Sequence, residues 1–383
     1  MPVQKKVVIA GHVCLDITPV FGNSAAGLKR EDIFSPGKLT QTEGIDIHTG
    51  GAVANSGLAL KKMGVDVALM GKVGEDELGR MLRHIIKGYD ADGDMIRSED
   101  SSTSYSIVLA PPGMDRIFLH YPGANDTFCL QDLNMEKIKQ AALFHFGYPP
   151  LMKKMYQNQG KELQDMFAAI QKEGVATSLD LAAVDESSDA GKQDWKNILV
   201  STLPYVDFFV PSVEELGFML NKSLYDEWQS RANGEDVTKF ISVEKDVKPF
   251  AQQLLDMGAK AVLIKCGAAG MYYKTSGQDK MRLLCAQLNL SLEDWSDKEG
   301  FEKSYVPDQV LSGTGAGDTT IAAFLASIMR EYPLQKSVSL AAAQGASCVS
   351  SYDALGGLKT LDELQARIDS GWEKQDLLSK QYN

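Results

Sequence analysis

The stretch Val310–Met329, VLSGTGAGDTTIAAFLASIM, joins a glycine-rich turn at Gly313–Gly317 to an apolar helix that starts near Asp318. Gly315 and Gly317 allow left-handed backbone angles and a close approach of ligand to chain. Unpaired N–H groups of such a turn, with the positive end of the helix dipole, attract an anion, and phosphate is the evident candidate. Two familiar phosphate loops do not fit. A Walker A loop ends Gly-Lys-Ser/Thr where this one ends Gly-Asp-Thr-Thr, and a dinucleotide fingerprint would need glycine in place of Asp318, in the first βαβ unit. Asp318 taken alone is an ordinary helix N-cap. A carboxylate beside an anion nest is electrostatically costly, however, and one chemistry uses both. Asp318 would accept the proton of a hydroxyl while the nest amides stabilise a transferring phosphoryl group.

Such a nest must be positioned by a framework, and the chain supplies one. Short apolar runs alternate with helical patterns: Lys6–Ala10, then a helix over Gly51–Met63, a strand over Val65–Met70 and a helix over Asp76–Ile86. The rhythm returns at 143–146, Leu163–Lys172, 175–181, 206–210, Val247–Met257 and 261–265, and closes with the helix after Asp318 and another over Val338–Ser350. This predicts a mainly parallel sheet covered by helices on both faces, with ligands at the carboxyl ends of its strands. Two segments break the rhythm. Residues 17–49 hold Pro19, Pro36, several glycines and the alternating Ile45 and Ile47; residues 103–121 read as a hairpin with Tyr105, Ile107 and Leu109 on one side and a turn at 111–115. They predict a small projecting sheet, a lid. Two further segments, Asn221–Lys245 and Ala286–Tyr305, are polar and read as peripheral, the charged run 294–303 as a solvated loop.

Composition narrows the function. The 383 residues carry Lys+Arg 39 against Asp+Glu 51, a net charge of −12, which argues against nucleic acid as a partner. The five cysteines, Cys14, Cys129, Cys266, Cys285 and Cys348, form no C-x-x-C pair and fit a reducing compartment. The five histidines show no metal spacing and adjoin no serine or cysteine nucleophile. The longest apolar runs, such as Ile321–Met329, are far short of the roughly 20 residues that span a bilayer. No signal peptide is evident, so a cytoplasmic location and no membrane partner are expected.

At this point the chain resembles the pfkB-type, ribokinase-like carbohydrate kinases. Their C-terminal signature is roughly D-T-x-G-A-G-D, and residues 312–318 read Ser-Gly-Thr-Gly-Ala-Gly-Asp. Their N-terminal signature is similar to Gly50-Gly51-Ala52-Val53-Ala54-Asn55, continuing through residues 60–79; Asp16 in GHVCLDITP resembles the first substrate loop, and Gly123-Ala124-Asn125 the end of the lid. The resemblance implies an α/β, ribokinase-like fold: a central mainly parallel β-sheet flanked by helices, with a small β-sheet lid. Residues 1–16, 50–102 and 122–383 would form the nucleotide- and substrate-binding domain, and 17–49 and 103–121 the lid. It implies ATP- and Mg²⁺-dependent phosphorylation of a sugar or sugar-derivative hydroxyl. Asp318 would be the base and the amides of Gly315, Ala316 and Gly317 the anion hole. Asp16, Gly50, Gly51 and Asn55 would hold the substrate, and Ser212, Lys265, Gly267 and Thr314 the nucleotide.

The departures from the pattern are specific. Family members usually show Asn-x-x-Glu where this chain has Ser212-Val213-Glu214-Glu215, so Glu215 would act on Mg²⁺ through water. Lys265 stands where a small hydroxyl residue is commoner and would meet the ATP phosphates; a surface lysine is the alternative. Ser312 replaces the first Asp of the C-terminal signature, which weakens the expectation of K⁺ activation, and Cys14 weakens that of ribose. Phe118, His120 and Tyr121 would pack on a base or against the lid itself. A nucleoside kinase on the same fold and a non-catalytic sugar- or nucleotide-binding regulator are the alternative functions. The oligomeric state stays open, although exposed lid sheets often pair and would allow a homodimer.

Overall fold

The first strand, β1 (Lys6–Gly11), shows why the chain layers as it does. Val7 and Ile9 enter one apolar core and Val8 and Ala10 another, all four fully buried, because helices cover both faces of the sheet. The structure, a computed structural model, describes residues 5–22, 35–111 and 117–377. After β1 come β2 (Cys14–Val20), β3 (Gly44–Gly50), β4 (Asp66–Met70), β5 (Lys72–Gly74), β6 (Ile96–Ser98), β7 (Tyr105–Leu109) and β8 (Ile117–Tyr121). The second half carries β9 (Leu143–Gly147), β10 (Ala176–Leu179), β11 (Phe208–Phe209), β12 (Ala261–Lys265), β13 (Gly270–Thr275) and β14 (Glu299–Lys303). The large sheet runs β14-β13-β12-β11-β10-β9-β1-β4, parallel from β12 to β4, with β13 and β14 added antiparallel at one edge. Among the described residues no helix is long and apolar enough to cross a membrane.

The smaller sheet, β3-β2-β7-β8, comes from the two segments that interrupt the α/β rhythm. Its strand β2 begins at Cys14, so Asp16, grouped from sequence with the α/β domain, sits within the lid sheet, in register with His48 and Ser106. The register puts Asp16, Ser106, His120 and Phe118 on one face, and Tyr105, Ile107 and Leu109 with Leu119 and Tyr121 on the other. Residues 23–34 and most of the expected 111–115 turn lie outside the described residues.

Both polar insertions are structural, contrary to the sequence reading. Helix Lys222–Ala232 buries Trp228 completely, and the 3₁₀ turn Val237–Phe240 brings Thr238 to the cleft described below. The charged run holds edge strand β14 and the fully buried Trp295, whose indole N–H donates to the Tyr332 carbonyl. One aromatic in a polar run suffices to anchor it, and a composition average misses that.

Asn125 ties lid to sheet. Fully buried, it accepts from the Val13 N–H at 3.2 Å and donates to the Val13 carbonyl at 2.9 Å, pinning the crossing from β1 to β2. Asn125→Ala leaves both backbone groups buried without partners, and the expected loss is about 2–4 kcal/mol of stability. Urea denaturation checks it; a variant with the wild-type midpoint would contradict the role.

Candidate active site

Five neighbouring parallel strands each deliver a polar side chain near their carboxyl ends. His12 follows β1, Tyr148 follows β9, Asp180 follows β10, Ser212 lies just beyond β11, and Lys265 ends β12. An open α/β sheet collects ligands along this edge. A cleft of about 900 Å³ opens there, walled by Asp180, Glu215, Lys265, Gly267 and the 313–318 loop, with Phe118 and His120 contributed by the lid.

The glycine-rich loop takes the geometry its sequence requires. Gly315 is left-handed at φ 73°, and a Cβ there would lie 2.2 Å from the Ala354 methyl, so only glycine fits. Helix Ala316–Met329 starts directly after it, two residues before the start read from sequence. The Gly317 and Asp318 amides head this helix, where first-turn N–H groups have no intrahelical partner. The Ala316 N–H reaches back to the Gly313 carbonyl at 3.3 Å, so of the three expected anion-hole amides it is the one already engaged. Thr314 does not line the cleft; its N–H donates to Ser312 Oγ at 3.0 Å, so the serine in place of the signature Asp braces the turn.

Asp318 is buried, with two unlike oxygens. Oδ2 accepts from Tyr148 O–H at 2.7 Å and from Asn55 Nδ2 at 2.9 Å, whereas Oδ1 has no partner. Ser56 Oγ donates to its main-chain carbonyl at 3.2 Å. Burial raises the Asp318 pKa; the Tyr148 and Asn55 bonds, the Lys265 charge and Ser56 oppose the rise without cancelling it. A carboxylate raised in this way and open at one oxygen suits a general base.

Lys265 is not a surface lysine. Its ammonium donates to Asp180 at 2.6 Å, both groups being largely buried, and a Cβ added to Gly317 would lie 3.7 Å from its Nζ. Burial works to lower its pKa, but Asp180, Glu215 and Asp318 together raise it, so the lysine is charged. Burial raises the Asp180 carboxyl against the pull of Lys265. The loop amides and this ammonium are donors that could hold phosphate oxygens. Ser212 and Glu215 form a capping box: Ser212 Oγ accepts from the Glu215 N–H at 3.3 Å, and Glu215 Oε2 accepts from the Ser212 N–H at 2.7 Å. Glu215 is thereby fixed on the cleft wall.

The expected substrate residues gather at the lid end. Asn55 reaches Asp318 directly. The Asp16 carboxylate lies over Gly50, where a Cβ would meet it at 2.4 Å, and accepts from the Cys14 thiol at 3.5 Å. Gly51, at φ 84°, leaves room for His12, whose ring would otherwise be 2.6 Å from a Cβ. None of Asp16, Gly50, Gly51 and Asn55 lines the cleft itself. His120 on the cleft wall meets His12 behind it, Nε2 to Nε2 at 3.4 Å, and its Nδ1 bonds Ser106 Oγ at 3.0 Å. Tyr121 turns away to Ser102 and Tyr105. The residues missed from sequence are Tyr148, Asp180, His12 and Ser106. For the first three the available signal was position, since each stands at or just beyond the end of a buried strand.

Comparison with known proteins identifies the family. The pattern of the pfkB family carbohydrate kinases matches residues 13–361, and the chain belongs to that family. It is therefore a carbohydrate kinase, a phosphotransferase with an alcohol group as acceptor. It is similar to fructokinase-1 of Zea mays, 27% identical over 331 residues that cover 84% of this chain and 88% of the maize protein. In fold it is similar to Arabidopsis thaliana ribokinase complexed with ribose and ATP (TM-score 0.69, 18% identity, 95% and 98% of the two chains). It is also similar to Xylella fastidiosa fructokinase with bound ATP (TM-score 0.68, 19% identity, 96% and 99%). The architecture is the ribokinase-like one.

The buried ion pair yields a stability prediction. Lys265→Met strands the Asp180 carboxylate and is expected to cost about 3–5 kcal/mol, most of it recovered in Lys265→Met/Asp180→Leu. Urea melts of the single and double variants check it. Equal destabilisation of the two would show that the pair does not compensate burial.

Proposed function

We propose that this carbohydrate kinase transfers the γ-phosphoryl group of ATP to a hydroxyl of a small free sugar, with D-fructose first among the candidates. The observation that carries the reading is the buried Oδ1 of Asp318, which has no hydrogen-bond partner and belongs to a residue that lines the cleft. The similarity to proteins named fructokinase supports the sugar class. The cleft, its glycine loop and Lys265 suit a nucleoside triphosphate in size and charge. When bound, Mg·ATP supplies the phosphoryl group, with the cation spreading its charge.

This chain's residues do the rest. Asp318 Oδ1 takes the hydroxyl proton as the acceptor oxygen attacks. The Gly315 and Gly317 amides, and the Ala316 amide if its turn bond opens, face the oxygens of the transferring group, and Lys265 adds a full positive charge. Glu215 would hold Mg²⁺ through water, since Mg²⁺ keeps much of its hydration shell. Asp16 and Asn55 would orient the sugar, and closure of the lid through His120 onto His12 excludes water from the transfer. The outer lid face exposes Ile45, Leu119 and Tyr121 and supports a homodimer formed through it. Light scattering that reads one chain's mass would rule that assembly out.

ADP release from Mg·ATP, measured across ketoses, aldoses, sugar acids and nucleosides with and without K⁺, tests the reading. A strong response to one sugar is expected. A response to nucleosides alone would favour a base stacked on Phe118, which lies 55% exposed on the cleft wall. Binding of ATP with no turnover on any acceptor would favour a regulator. Asp318→Asn is expected to lose about 10²–10⁴ in kcat with ATP affinity kept, and Lys265→Ala to raise the KM for ATP. A near-normal kcat in the first removes Asp318 as the base, and an unchanged KM in the second removes Lys265 from the phosphates.

A further inference from the structure

Tyr148 occupies a backbone conformation that a bulky side chain rarely adopts, φ 69° and ψ 42°, directly after β9. Asn, Asp or Gly would tolerate this position better, so something beyond local preference keeps a tyrosine there. The left-handed turn carries the ring into the sheet edge, 6.0 Å from the His12 ring, and its phenol oxygen reaches Asp318 Oδ2 at 2.7 Å. Asn55 holds the same oxygen from the helix Ala52–Lys62, so two donors from separate elements fix one side of the carboxylate.

We propose that Tyr148 is a positioning residue of the phosphoryl-transfer reaction: by donating to Oδ2 it fixes the Asp318 carboxylate so that only Oδ1 is presented to the acceptor hydroxyl. The proposal rests on the reading of Asp318 as the base. A phenol is suited to the task, because it donates one directional hydrogen bond and stays neutral. Burial, reinforced by Asp318 and Asp180, raises the Tyr148 pKa well above its ordinary value, so it does not compete for the proton that Asp318 must take. The bond also favours the ionised form of Asp318 and lowers its pKa.

The groups facing Asp318 can be sorted by what they do to its titration. Lys265 favours the carboxylate, whereas Asp180 is a further acid of the same charge cluster and Glu215 another near Lys265 and Asp180. Cys14 and Cys348 are thiols whose pKa burial raises, and they stay neutral. His12, at about 3, and His120, also lowered by burial, do not charge in the neutral range. Removing the phenol O–H takes away a bond that Oδ2 accepts more strongly as part of a carboxylate than as the carbonyl of a carboxyl protonated at Oδ1, so the Asp318 pKa is expected to rise.

Infrared difference spectroscopy against pH on the full chain without nucleotide reads this directly. Asp318→Asn identifies the protonated-carboxyl band of Asp318. Tyr148→Phe is expected to move the midpoint of that band up by about one pH unit, and 3-fluorotyrosine at the same position, a stronger donor of nearly the same shape, to move it down. With the sugar that responds in the ADP-release panel, Tyr148→Phe is also expected to lower kcat about tenfold, with the KM for ATP within twofold and the acid limb shifted upward. An unmoved band in both Tyr148 variants overturns the proposal, and so does an unchanged kcat. If Tyr148→Phe does not fold, the fluorotyrosine shift decides alone. Full activity in Asp318→Asn would instead defeat the reading of Asp318 as base, so the two failures are distinguishable.

Discussion

A carboxylate inside a protein is tolerated only when its charge is answered, and the architecture of this kinase is arranged around answering that of Asp318. Left alone, burial would neutralise the group. Three elements oppose this: the helix Ala52–Lys62 sends Asn55, the end of β9 sends Tyr148, and the end of β12 brings the charge of Lys265. Each works on Oδ2 or through space, so Oδ1 stays open. The small residues at the start of helix Ala52–Lys62 follow from this demand, because Asn55 and Ser56 must both approach the first turn of another helix.

The same region gathers more negative charge than positive. Asp180, Glu215 and Asp318 surround a single ammonium, Lys265. Phosphate oxygens entering such a cleft would meet net repulsion if carboxylates alone lined it. The backbone amides of the glycine loop offset part of that, and a divalent cation carried with the nucleotide would offset more. The Lys265–Asp180 pair makes burial of Asp180 tolerable and holds a cation beside the Gly317 turn.

The lid enters this arrangement through histidine contacts. His120, at the edge of the lid sheet, touches His12 at the end of β1, and Ser106 on the neighbouring strand holds the other ring nitrogen. With both rings neutral, one Nε2 donates and the other accepts, so lid and sheet meet without charge repulsion. Asn125 fixes the hinge side of the same junction through the Val13 backbone.

By itself the sequence determined the alternation of buried strands and helices, since a strand covered on both faces must be apolar throughout, as Val7–Ala10 is. It also determined the turn at Gly315, because only glycine accepts the left-handed angle and close packing there. Asn55 and Lys265 were legible through the resemblance to the family, although their partners were not. What the tertiary structure decided was pairing. Nothing in the chain order indicates that Tyr148 would meet a residue 170 positions away or Asp180 one 85 away. Nor does it indicate that Asp16 would belong to a lid strand, or that Trp228 and Trp295 would anchor polar insertions in the core. Periodicity reports which face of an element is apolar; which polar groups meet at the ends of strands depends on strand order, and that is fixed only when the whole sheet forms.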